Sequence, residues 1–260
     1  MRKILICLCL LLLPWSAHSA VLVGFGASAP SGDGCGTDGL ISSWHCENTD
    51  LTNSAEVALG SCVDTGEDST ATLNSGATLD TDGTPTPVDG SGTLQLDTSP
   101  DVNYEAAVFT TATTTLLKEA KVSGYIYVDT FSSGKKIFYI TIDSSNYCYI
   151  TTQGTSSDIS LEFYGKWAGT AKTSTLTTTN YNRTTGEWLY FEVAWKYATS
   201  GNDTFLKLCD STRTNCDSQY FTKSYSTVSA SSTGFMWGDN SASNIQAHFD
   251  KLKVYKNAGF

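Results

Sequence analysis

Apolar and polar residues alternate at every second position through the latter half of the chain, and this restricts the possible fold more than any other feature. Val122, Gly124, Ile126 and Val128 alternate with Ser123, Tyr125, Tyr127 and Asp129, as a strand buried on one face requires. Within Glu187–Tyr197, Leu189, Phe191, Val193 and Trp195 alternate with Trp188, Tyr190, Glu192 and Lys196. Further short runs occupy Ala106–Thr111, Lys136–Asp143, Tyr147–Thr152, Ile159–Trp167, Thr204–Cys209, Gly234–Gly238 and His248–Lys256, with turn sequences such as Ser-Ser-Gly and Asp-Ser-Ser-Asn between them. Many short strands without a convincing helix predict an all-β chain, folded as an antiparallel sandwich or barrel. Residues 64–103 are rich in Asp, Gly, Thr and Pro with few large apolar side chains, and are expected to be loop-like.

Composition agrees with this class. Of 260 residues, 68 are Ser or Thr and only 16% are charged, which favours sheet over helix. The 40% hydrophobic content suffices for one sizeable core. A net charge of −10 repels phosphate backbones and anionic bilayers, so nucleic acid is excluded as an expected partner.

Arg2 and Lys3 precede an apolar run from Ile4 to Leu13, then Pro14 and the small-residue stretch Ser16-Ala17-His18-Ser19-Ala20. This is the pattern of a signal peptide, too short to anchor in a bilayer. The expected organisation is a leader at 1–20, an irregular Gly/Ala/Ser-rich linker at 21–36, and one domain from 37 to 260. The expected location is secreted, cell-surface or periplasmic, with no membrane span in the mature chain.

Cys7 and Cys9 leave with the leader, so Cys35, Cys46, Cys62, Cys148, Cys209 and Cys216 remain. An even number in an exported chain predicts disulfides. The short segment between Cys209 and Cys216 makes them the first expected pair. Cys46 with Cys62 is a second, leaving Cys35 and Cys148 for each other or free. The absence of any CxxC spacing argues against a thiolate zinc site.

Several segments resemble the concanavalin A-like lectin/glucanase superfamily, in particular its laminin-G-like domains. Leu40-Ile41-Ser42-Ser43-Trp44-His45-Cys46-Glu47 is similar to the opening strand of that family, and Gly90-Ser91-Gly92-Thr93-Leu94-Gln95-Leu96 to its Gly-x-x-Leu-x-Leu strand. Gly186-Glu187-Trp188-Leu189-Tyr190-Phe191 resembles its Gly-x-Trp strand, and Phe249-Asp250-Lys251-Leu252-Lys253-Val254-Tyr255 its closing strand. The resemblance implies a two-sheet jelly roll, with glycan binding common among its members. It also implies a structural calcium between Asp250 and Glu47, with Asp64, Glu67 and Asp68 as further candidates, since calcium takes six to eight oxygens. Asp250 shares parity with Leu252 and Val254 and is expected to point inward, where a carboxylate needs a cation or hydrogen bonds. Capping of backbone N–H groups is the alternative.

Strand parity supplies a candidate ligand surface without any family. Tyr125, Tyr127, Tyr139, Tyr147, Tyr149, Glu162, Tyr164, Trp188, Tyr190 and Glu192 all fall opposite core-facing neighbours. If their strands share a sheet, its outer face is a band of aromatic rings with carboxylates between, suited to sugars. The same residues are also what exposed strands carry for cross-strand packing alone.

Glu162 and Glu192 form an acid/base pair only if their strands adjoin. No glutamate has Asp two positions on, which departs from the laminarinase-type motif of the resembling family. Neither the two histidines after the leader nor Arg183 and Arg213, both in turn-like segments, form a recognisable catalytic pattern. The expected function is a noncatalytic glycan-binding or adhesion module of poly- or oligosaccharides. A polysaccharide hydrolase or lyase and a structural assembly protein are the alternatives.

Overall fold

The computed structural model describes residues 40–44, 46, 71–74, 77–96, 106–110, 118–196, 200–225, 234–238, 245–255 and 259. The leader, the linker and Glu47 lie outside them, as do Cys35, Cys62, Asp64, Glu67 and Asp68.

Every regular element among the described residues is a strand: β1 (Leu40–Trp44), β2 (Ala71–Asn74), β3 (Thr78–Asp80), β4 (Thr93–Leu96), β5 (Ala106–Thr110), β6 (Glu119–Thr130), β7 (Lys136–Asp143), β8 (Asn146–Thr155), β9 (Asp158–Trp167), β10 (Thr170–Thr175), β11 (Trp188–Lys196), β12 (Thr204–Asp210), β13 (Cys216–Phe221), β14 (Gly234–Gly238) and β15 (Gln246–Tyr255). They form two antiparallel sheets, so the chain is a β-sandwich. One sheet has the order β13-β12-β11-β6-β15-β4-β3, with β1 paired to β15 beside β4; the other has the order β10-β9-β8-β7-β14-β5-β2. No helix of the described residues is long and apolar enough to cross a membrane.

The inward residues of both sheets meet in one core. Leu189, Phe191, Val193 and Trp195 are fully buried on β11, as their alternation requires, and Leu161 and Phe163 are buried on β9. The layers interlock through aromatic rings: Trp195 stacks on Phe163 at 5.0 Å, and Phe191 meets Trp237 edge-on at 6.0 Å. Trp167 folds back over Gly165 so closely that a Cβ there would fall within the indole. Cys148 is a buried free thiol on the core face of β8, pushed well above its ordinary pKa by burial. The expected Cys46–Cys62 pair involves a residue outside the described ones.

The region expected to be loop-like holds β2 and β3 as well as the resemblance-derived β4. Two further strands, β10 and β13, also exceed the alternation. β10 is an edge strand of Thr, Ala, Lys and Ser with one buried residue. It follows a turn in which Ala168 and Gly169 both have positive φ, 49° and 81°, the two-residue turn that matches strand twist.

A bulge in β15 overturns one parity. Ala247 and Phe249 face the core, but the register against β6 shifts between Asp250 and Lys253, with Lys251 at φ 51°. Leu252 and Val254 then face the core in their turn. Asp250 is therefore paired with Tyr125 on the outer face, not aligned with Leu252 and Val254 as expected.

Candidate functional site

The candidate residues divide between the two outer faces. Tyr125, Tyr127, Trp188, Tyr190 and Glu192 stand on β6 and β11 of the eight-stranded sheet, where Tyr190 pairs with Tyr125 and Trp188 with Tyr127. Tyr139, Tyr149, Glu162 and Tyr164 stand on β7, β8 and β9 of the seven-stranded sheet. The expected single band is thus corrected to two surfaces on opposite sides of the molecule. Glu162 lies between the core residues Leu161 and Phe163, and Glu192 between Phe191 and Val193. Their carboxylates point away from the shared core in opposite directions, so the conditional acid/base pair does not form.

On the eight-stranded sheet, covering segments occupy much of the aromatic surface. Tyr125, Tyr190 and Cys209 make a small second core with Val88, Trp188 and Cys216 against it. The Trp188 indole N–H donates to the Thr86 carbonyl at 2.8 Å, tying the β3–β4 loop down. From the other side, the Cys209–Cys216 disulfide closes the β12–β13 turn, as expected from spacing. Arg213 from that turn lies 3.9 Å above the Tyr190 ring and donates through Nε to the Tyr125 hydroxyl at 3.0 Å. Burial pushes the Tyr190 phenol up to about 12, assisted by Glu192, which accepts its hydroxyl at 3.0 Å.

Asp250 belongs to this covered region. It is fully buried, and its carboxylate accepts the Asp89 N–H at 2.9 Å and the Lys251 N–H at 2.6 Å. Burial pushes its carboxyl up to about 6, against the downward pull of the N–H groups of Asp89, Lys251 and Val88. A backbone N–H on each oxygen matches the capping alternative. Glu47, Asp64, Glu67 and Asp68, the other residues expected around a calcium, lie outside the described residues.

His248 sits on the central strand β15, not at an edge. Its Nδ1 lies 2.9 Å from the Thr93 hydroxyl, and Asp80 and Asp129 approach at 3.5 and 3.4 Å from opposite ring nitrogens. The two carboxylates meet different sides of the imidazole, so they do not converge on one ion.

The seven-stranded sheet carries a different surface. Tyr139, Tyr149 and Tyr164 are in direct cross-strand register on β7, β8 and β9. The rings of Tyr149 and Tyr164 are parallel, 4.7 Å apart at 4°. Tyr147 joins them, 5.7 Å from Tyr164 and 6.2 Å from Tyr149. Ring faces are thus turned largely toward one another, and edges and hydroxyls are left to solvent. The surface is a row of half-buried phenols. Burial first, then the neighbouring phenols and Glu162, pushes Tyr149 up to about 12, so it stays a neutral donor. At the end of the row, Glu162 accepts the Thr175 hydroxyl at 2.8 Å and the Gln153 amide at 3.3 Å. Lys136 lies 5.0 Å from the Tyr139 ring centre and Lys166 5.5 Å from that of Tyr147.

Sequence reasoning set Arg213 aside as a turn residue, and it gave no signal for the buried Thr93 beside His248. The short Cys209–Cys216 spacing could have pointed to Arg213, because a stapled turn must display its tip.

No protein-family model matches the sequence, and no curated protein matches it. Solved structures resemble the fold at low identity. Domain 4 of AbnA, a GH43 extracellular arabinanase from Geobacillus stearothermophilus in complex with arabinotriose, is 12% identical with a TM-score of 0.56, over 84% of this chain and 93% of that one. The binding domain of botulinum neurotoxin DC in complex with SialylT is 12% identical with a TM-score of 0.55, over 85% and 48%. Tailspike protein 2 of the Escherichia coli O157:H7 bacteriophage CAB120 is 12% identical with a TM-score of 0.51, over 72% and 25%. This chain spans less than half the length of the last two.

Proposed function

We propose that the chain is an exported, noncatalytic glycan-binding module of the concanavalin A-like type, and that the tyrosine row of the seven-stranded sheet is its binding face. The observation that carries this is the row itself: four half-buried phenols on adjacent strands, flanked by Glu162, Gln153, Lys136 and Lys166. Strand spacing sets the row's donors at intervals of about 4.8 Å, and hydroxyls beside a fixed carboxylate match the paired donors and acceptors of a sugar. The resemblance to a domain crystallised with arabinotriose supports the ligand class. The separation of Glu162 from Glu192 supports binding without cleavage.

The test is a glycan array with the mature chain, wild type against Tyr149→Phe/Tyr164→Phe and against Glu162→Gln. Removing only the hydroxyls leaves ring packing in place, so a loss of binding of about tenfold or more is expected from donor loss alone. Binding that survives both variants places the ligand elsewhere. Shortening of the bound glycan shows an enzyme.

A further inference from the structure

The outer face of the eight-stranded sheet holds a recess of about 190 Å³ between the β12–β13 turn and the far half of β15, lined by Ser123, Tyr190, Arg213, Lys251, Lys253 and Tyr255. Lys121 stands beside it, its ammonium 4.3 Å from the centre of the Tyr255 ring. Three cationic side chains therefore line one small cavity, with a fourth beside it, in a molecule whose net charge is −10. Lys251 is neutralised by Asp89 at 3.0 Å. Lys253, placed opposite Ser123, makes no ion pair with any described residue.

Arg213 is held in position before any ligand arrives. Its backbone is left-handed, φ 60°, a conformation that non-glycine residues rarely adopt and that the surroundings must impose. Here the disulfide closes the turn, and the Asp210 carboxylate accepts the Thr214 and Asn215 N–H groups at 2.9 and 3.2 Å. The guanidinium carbon lies 3.9 Å from the centre of the Tyr190 ring, and Nε donates to the Tyr125 hydroxyl. Its two terminal nitrogens make no hydrogen bond with a described residue. A guanidinium held over one ring and bonded through Nε, with its fork free, is suited to a carboxylate or sulfate, which it grips through two parallel bonds.

We propose that this recess binds the anionic substituent, carboxylate or sulfate, of an acidic saccharide. Arg213 supplies the planar fork, Lys253 the second positive charge and Ser123 a hydroxyl. The cavity is smaller than the ~300–1,000 Å³ of sites that enclose a whole small molecule. It therefore takes a charged group with the ring that bears it, and leaves the remainder of the ligand in solvent. The saccharide class rests on the glycan reading above; the preference for an anion does not.

Isothermal titration of the mature chain with glucuronate, glucose 6-sulfate, glucose and inorganic sulfate, at constant ionic strength in chloride, tests the proposal. An acidic sugar is expected to bind where glucose does not, and its binding to weaken about tenfold in Lys253→Gln and in Arg213→Lys, which retains charge but loses the fork. The two acidic sugars separate carboxylate from sulfate as the preferred group. Tyr149→Phe/Tyr164→Phe should leave this binding unchanged, whatever it does on a glycan array. Equal binding of glucose, wild-type binding by Lys253→Gln, or binding of inorganic sulfate with neither acidic sugar overturns the proposal. So does loss of acidic-sugar binding in the tyrosine variant alone, which would assign the anion to the opposite sheet.

Discussion

Asp250 shows how a single residue couples burial to pH. Its carboxyl is pushed up to about 6 from 3.8, so the folded chain holds a proton there that the unfolded chain has released. Between pH 4 and 6 the native state thus binds more protons than the denatured state, and stability falls as pH rises through that window. A displacement of this size corresponds to about 2–3 kcal/mol. Denaturant unfolding should give a higher midpoint at pH 4.5 than at pH 7 for this contribution, and Asp250→Asn should flatten the difference. An unchanged pH slope in the variant would remove Asp250 as its source. Alternation drew attention to this aspartate because an apolar strand began with a charge. It misdirected the side chain because one left-handed residue, Lys251, reverses parity, and nothing in Asp-Lys-Leu announces such a bulge.

Among the elements, strands with an inner face of large apolar residues were legible to within about three residues: Lys136–Asp143 and Gly234–Gly238 coincide with β7 and β14, while Tyr147–Thr152 stops three short of the end of β8. β10 and β13 were not, because edge strands of Thr, Ser, Asp and Gln bury little and leave no apolar rhythm to read. The Cys209–Cys216 pair was legible from spacing, and its energetic role follows from the loop it closes. A separation of seven residues corresponds to roughly 2–3 kcal/mol of denatured-state entropy in the chain-entropy treatment. Cys209→Ala/Cys216→Ala should lower stability by about that amount, read as a shift in the unfolding midpoint. It should also loosen Arg213 over Tyr190.

At the scale of the molecule, the crossover from one sheet to the other is pinned to the eight-stranded sheet by an ion pair that composition conceals. Arg183 is fully buried in the crossover between β10 and β11, and it donates to Asp217 on β13 at 2.8 Å and to the Leu208 carbonyl at 2.8 Å. Burial alone would raise Asp217, but the arginine and the N–H groups of Thr179 and Asn180 hold it below the usual carboxylate range. Removing the arginine leaves that charge buried and unpaired, so Arg183→Met should cost about 3–5 kcal/mol in equilibrium unfolding. A cost below 1 kcal/mol would show that the crossover does not depend on it. Sequence offered no hint, since Asn182-Arg183-Thr184 has the look of an exposed turn. The candidate surface was half legible for a related reason: alternation tells inside from outside, but not which of two outsides a strand will face.

The pairing of β15 also orders events in time. Its one edge is bonded to β6 along its length, and its other edge to β4 and then β1. A ribosome or a translocation channel delivers those three partners well before residue 246. Until β15 emerges, no other described strand joins β1 and β4 to β6. This sheet must therefore wait, unclosed, for β15, and a truncation before residue 246 would leave it as two half-sheets and not a shorter sandwich.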